Sequence, residues 1–114
     1  MLYLYYGFFV IKSYSSPYGN YTIERGYKLS DGTVYYNYYY RVKNEKGSIV
    51  VEEGNYEGAK IRQIIWFKDS AYVHFSGSHV NMYTIYNLKA GKEGLSDSIC
   101  YARNVSKGVL INVK

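Results

Sequence analysis

The stretch Thr33–Lys43, TVYYNYYYRVK, decides the fold class. Under period-two alternation Val34, Tyr36, Tyr38, Tyr40 and Val42 share one face, and Tyr35, Asn37, Tyr39, Arg41 and Lys43 share the other. The first set is apolar enough to meet a core, whereas the second is an aromatic and basic ladder. Turn chemistry brackets the strand on both sides, with Ser30-Asp31-Gly32 before it and Asn44-Glu45-Lys46-Gly47 after it. Such a segment belongs to an antiparallel β-structure.

Outward from this strand the same grammar continues. Loops are expected at Ser15–Asn20, Glu53-Gly54-Asn55, Lys68-Asp69-Ser70, Gly77-Ser78, Ala90–Gly94 and Ser106-Lys107-Gly108. Strands are expected near 2–14, 21–29, 33–43, 48–53, 60–67, 71–76, 79–88, 98–105 and 109–113. In YEGAKIRQIIWF (56–67), Ile61, Ile64 and Ile65 also match a helical stripe, so a short helix there is the alternative. Helix formers are scarce elsewhere, with four alanines and six leucines. The 114 residues therefore predict one all-β domain over 1–114, a single antiparallel β-barrel or β-sandwich.

The run LYLYYGFFVI (Leu2–Ile11) is apolar on both faces: Leu4, Tyr6, Phe8 and Val10 on one, Tyr3, Tyr5, Phe9 and Ile11 on the other. Ten residues are too few for a helical membrane span. The first cation, Lys12, follows the run, contrary to the order in a signal peptide. With neither signal, a cytoplasmic or virion location is expected. A strand with two apolar faces needs cover on both, so Tyr3, Tyr5, Phe9 and Ile11 are candidate interface residues. Seventeen tyrosines add to this expectation, because a chain this small cannot place so many large rings in one core.

The net charge of +5 resides in the second half of the chain. Residues 1–59 balance, while 60–114 carry eight Lys and Arg against Asp69, Glu93 and Asp97. This permits attraction to polyanions. Tyr35, Tyr39, Arg41 and Lys43, with Lys89 and Lys92 of the Gly-rich stretch Lys89–Gly94, supply the rings and cations that single-stranded nucleic acid requires. That Gly-rich stretch lacks the GxxxxGK[ST] context of a P-loop.

Catalytic and metal readings find little support. His74 and His79 lie five residues apart across Gly77, with Asp69 five residues before them, yet nothing local supplies a base, an orienting partner and an electrostatic stabiliser together. Cys100, the only cysteine, excludes an internal disulfide and reads as a small strand hydrophobe. Two histidines and one thiol do not compose a closed zinc site. No cofactor, metal or small-molecule substrate is expected, and the chain is expected not to be an enzyme.

The Tyr-, Ile- and Lys-rich, Gln- and Cys-poor composition resembles that of small proteins from thermophilic archaea and their viruses. The resemblance implies a virion component, a nucleic-acid binder or an inhibitor of host machinery. The leading expectation is a non-enzymatic structural or interaction protein that assembles through tyrosine-rich β surfaces, with itself or another protein. The alternative is a small nucleic-acid-binding β-barrel.

Overall fold

The computed structural model describes residues 8–30, 33–34, 39–55, 59–78 and 80–113. Its elements are β1 (Phe8–Ser15), β2 (Tyr21–Ser30), β3 (Thr33–Val34), β4 (Tyr39–Asn44), β5 (Ile49–Asn55), β6 (Lys60–Trp66), β7 (Ser70–Ser76), β8 (Asn81–Asn87), β9 (Lys92–Ser96), α1 (Ser98–Asn104) and β10 (Val109–Asn112). All ladders are antiparallel. One sheet has the order β1-β2-β4-β5, with β3 paired to the far end of β2, and the other has the order β10-β6-β7-β8-β9. The all-β expectation holds, and the architecture is a two-sheet sandwich rather than a closed barrel.

The core is the layer of side chains between the sheets. Ile23, Tyr40, Val42 and Val51 come from the first sheet, and Ile61, Ile64, Trp66, Val73, Phe75 and Tyr86 from the second. Tyr40 and Val42 point inward, as the alternation of the 33–43 stretch requires. The Tyr40 ring meets Phe75 edge-on at 4.9 Å, and its hydroxyl donates to the Ala59 carbonyl at 2.8 Å. One side chain thus ties β4 to β7 and to the chain entering β6.

Two bulges explain where simple alternation misleads. In β6, Ile61 pairs with Phe75 and Gln63 with His74, leaving Arg62 as the extra residue. The bulge shifts the parity, so Ile61, Ile64 and Trp66 all enter the core while Ile65 is buried on the opposite face. A bulged strand therefore produced the i, i+3 spacing that resembles a helix, and 60–66 is a strand. In β1, Val10 pairs with Gly26 and Lys12 with Arg25, which makes Ile11 the extra residue. Beyond it Tyr14, paired with Ile23, takes the core side. Gly26 is required here: a side chain would run into the Phe9 carbonyl and lie 2.7 Å from the Phe8 ring.

Three segments depart from expectation, the first being Glu53-Gly54-Asn55, expected as a loop, which forms the end of β5. Residues 98–105, expected as a strand, form α1. The Asp97 carboxylate accepts a hydrogen bond from the Cys100 amide at 2.6 Å and caps the first turn, and Arg103 lies in the last. The helix packs on the outer face of the second sheet and buries Tyr101 there. Residues 92–94, expected within the loop Ala90–Gly94, open the edge strand β9 (Lys92–Ser96). Its preceding turn places Gly91 so close to β5 that a Cβ would lie 2.6 Å from the Val50 carbonyl oxygen, and Gly91 has φ +70.

Tyr40→Phe leaves the buried Ala59 carbonyl without this donor and is expected to lower unfolding stability by about 1–3 kcal/mol. The measurement is a urea melt with unchanged m-value; an unchanged midpoint contradicts the role given to the hydroxyl.

Candidate interaction surface

Edge strand β1 carries three consecutive exposed apolar side chains: Phe9 (43% exposed), Val10 (42%) and Ile11 (43%). They are exposed for two reasons. Among the described residues nothing pairs with the outer edge of β1, and the Ile11 bulge removes that side chain from regular alternation. Of the sequence-predicted interface set, Phe9 and Ile11 are therefore solvent-facing, while Tyr3 and Tyr5 lie outside the described residues. On edge strand β10, which sequence reasoning did not nominate, Val109 and Ile111 are exposed as well.

Both are terminal strands, β1 of the first sheet and β10 of the second. The sheets approach each other at β5 and β9, where Gly91 abuts Val50, and Tyr40 of β4 sits over Phe75 of β7. In each sheet β1 or β10 is the terminal strand opposite that end. The β5/β9 flank has its own exposed apolar residue, Leu95, beside a groove of about 230 Å³ lined with Met82, Thr84, Glu93 and Gly94. Charged side chains of Glu52, Lys92 and Glu93 accompany that flank.

The tyrosines are less exposed than their number suggests. Tyr14, Tyr40, Tyr86 and Tyr101 are buried, and Tyr21, Tyr27, Tyr39, Tyr72 and Tyr83 are half-buried. Among the tyrosines with described side chains, Tyr18 alone is fully exposed. Apolar exposure comes instead from Phe, Val, Ile and Leu.

The basic ladder on the outer face of the first sheet is partly compensated from within. Arg41 Nε meets Glu24 Oε1 at 2.8 Å, and Lys43 Nζ lies 3.5 Å from the same oxygen. The Arg41 guanidinium also covers the Phe8 ring at 4.1 Å. Cross-strand pairing of Arg41 with Glu24 dictates this arrangement, a relation between distant segments that residue spacing alone does not reveal. Tyr39 is half-buried on the same strand, and Tyr35 lies outside the described residues. Lys89 and Lys92 are exposed on the second sheet, in the turn before β9 and at its first residue, so they do not join the Arg41–Lys43 pair.

The outer face of the second sheet holds a ring cluster under α1. His74 stacks on Tyr83 with centroids 4.5 Å apart and meets Asn81 Oδ1 through Nε2 at 2.6 Å. Tyr101 packs on Tyr83 at 4.7 Å and donates its hydroxyl to Gln63 Oε1, while Gln63 donates to Asn112. This cluster fastens α1 and β10 to the sheet. His79 lies outside the described residues, and Cys100 is half-buried beside Tyr72. Among the described residues no group of three His, Cys, Asp or Glu side chains is placed to hold a metal ion, and no helix is long and apolar enough to cross a membrane.

Burial, reinforced by neighbouring Tyr83, pushes the Tyr101 hydroxyl up to about 12. Burial also raises Tyr40, with the nearby Arg25 guanidinium acting in the opposite direction. An unfolded chain releases these protons near the ordinary value of about 10, so above it the unfolded state binds fewer protons than the folded one. These two hydroxyls therefore add no pH dependence below about pH 10 and are expected to make stability fall between pH 10 and about 12. Urea midpoints across that range, read alongside phenolate absorbance, check this; flat stability up to pH 12 contradicts it. Glu24→Gln removes the counter-charge that Arg41 and Lys43 share, and is expected to cost about 1–3 kcal/mol. It should also create salt-sensitive oligonucleotide binding measurable by fluorescence anisotropy; absence of both effects contradicts the neutralisation. Comparison with family models, with curated proteins and with solved structures finds no match.

Proposed function

We propose that this protein is a non-enzymatic structural or interaction protein that works by associating, with itself or with another protein, through the apolar edge surface of its sandwich. The observation that carries this reading is the exposure of three consecutive apolar residues on an edge strand, Phe9 and Val10 on opposite faces of the sheet and Ile11 at the bulge. An open strand edge offers unpaired N–H and C=O groups, and adjacent apolar side chains supply area that is removed from water on contact. The half-buried tyrosines contribute amphipathic rings around the sheets, suited to surfaces that are partly wet. An assembly component, such as a subunit of a virion shell, uses surfaces of this kind.

The nucleic-acid alternative draws less support, because Arg41 and Lys43 share Glu24 and are separated from Lys89 and Lys92. Backbone phosphates are bound by cations that release counterions, and a cation already paired with a carboxylate releases few.

Light scattering coupled to size exclusion, at low and high salt and with and without a single-stranded oligonucleotide, tests the reading. The expected result is a salt-resistant multimer at micromolar concentration that leaves the oligonucleotide unbound. A monomer that carries the oligonucleotide at low salt and releases it at high salt overturns it in favour of nucleic-acid binding.

A further inference from the structure

Among the described residues four strands terminate the two sheets, β1, β5, β9 and β10, and three of these carry features that obstruct pairing with another chain. Natural β-proteins blunt edges with charges and bulges. On β5, register shifts occur between Tyr40 and Val42 and between Val42 and Lys43 of its partner, and the exposed strand includes charged Glu52. On β9, Lys92 and Glu93 are exposed and charged. On β1, the Ile11 bulge reverses the parity of the strand, so Phe8 and Lys12 no longer belong to the same face. Antiparallel self-pairing of β1 about Val10 would set Phe8 against Lys12 and would fail to match faces.

Strand β10, VLIN, has none of these guards. It pairs with β6 in unbroken register over all four residues, from Val109 with Trp66 to Asn112 with Gln63. It contains no charge, glycine or proline. Val109 and Ile111 lie on the face of the sheet that looks between the layers and are still 38% and 40% exposed, because the first sheet does not cover this edge. Leu110 and Asn112 lie on the other face, next to Ile65 and Gln63.

We infer that β10 is a homodimer edge, joining the second sheets of two copies across a two-fold axis at Leu110. This inference rests on the association reading above and names its partner as a second copy of the chain. The sequence is self-complementary in this register. Antiparallel pairing about Leu110 sets Val109 opposite Ile111 of the other copy and Leu110 opposite its own counterpart, and every pair shares a face. Gly108 then faces Asn112 and Lys107 faces Val113, so no like charges meet although the chain is +5 overall. An isologous contact of this kind closes on itself.

The test is a cysteine placed on the axis. In a Cys100→Ala background, Leu110→Cys brings two thiols to directly opposed positions, whose Cα separation of about 4.5–5.5 Å is suited to a disulfide. Mild oxidation should give a covalent dimer, whereas Ile99→Cys, on exposed α1, should stay monomeric under the same conditions. Ile111→Lys, at an exposed position, should weaken self-association about tenfold or more without altering the circular dichroism spectrum. A wild-type multimer in which Leu110→Cys does not cross-link, or in which Ile111→Lys is without effect, overturns the β10 edge while sparing the association reading. A monomeric wild type overturns both.

Discussion

A sandwich of short strands must bury its one layer of core side chains and also manage the open edges of its terminal strands, and most of this structure follows from that constraint. The sheets are held together where Tyr40 meets Phe75 and bonds to the Ala59 carbonyl. Around this contact lie Trp66, Tyr86, Ile64 and Ile23, all buried. The layer is thick enough to exclude water at its centre but not at its flanks, where side chains that face inward by register remain partly exposed. Val109 and Ile111 are such residues at one flank, and Leu95 at the other.

The same constraint separates the functional readings. Cross-strand pairing sets acidic β2 residue Glu24 beside the cations of β4, so the ladder that looked suited to phosphates is internally satisfied. The exposed apolar side chains Phe9, Val10, Ile11, Val109 and Ile111 coincide with strand edges. Edge hydrogen-bonding groups and apolar side chains act together in protein association, because pairing fixes the register and burial supplies the driving force. Meanwhile α1 covers the outer face of the second sheet and, through Tyr101, His74 and Tyr83, removes from solvent several rings that would otherwise add to that surface.

Much of the fold was legible because turns and alternation are local. Asn44-Glu45-Lys46-Gly47 forms its turn with Asn44 accepting from Lys46 and Ser48, and Tyr40 and Val42 face the core. What was not legible depends on non-local or parity-breaking events. A bulge at Arg62 gave β6 a helical appearance, and one at Ile11 separated Lys12 and Tyr14 from the face that alternation assigned. The helix at 98–104 had a local signal in Asp97, an N-cap residue before Ser98, but its apolar Ile99 and Tyr101 also fit a strand. At the candidate surface, Phe9 and Ile11 could be found from apolar run length alone. Val109 and Ile111 could not, since their significance comes from β10 sitting at an edge beside β6, which only the topology shows. The tyrosine excess pointed to the surface, whereas most described rings are drawn into the core or half-covered between strands.

Association through the edges of β1 and β10 is addressed most directly by hydrogen–deuterium exchange of the native chain as a function of protein concentration. Backbone amides of Phe8–Lys12 and Val109–Asn112 should become protected as concentration rises through the association range, while those of Ile49–Val51 and Lys92–Leu95 should stay unchanged. Protection that grows instead at β5 and β9, or exchange that is independent of concentration throughout, would contradict the account.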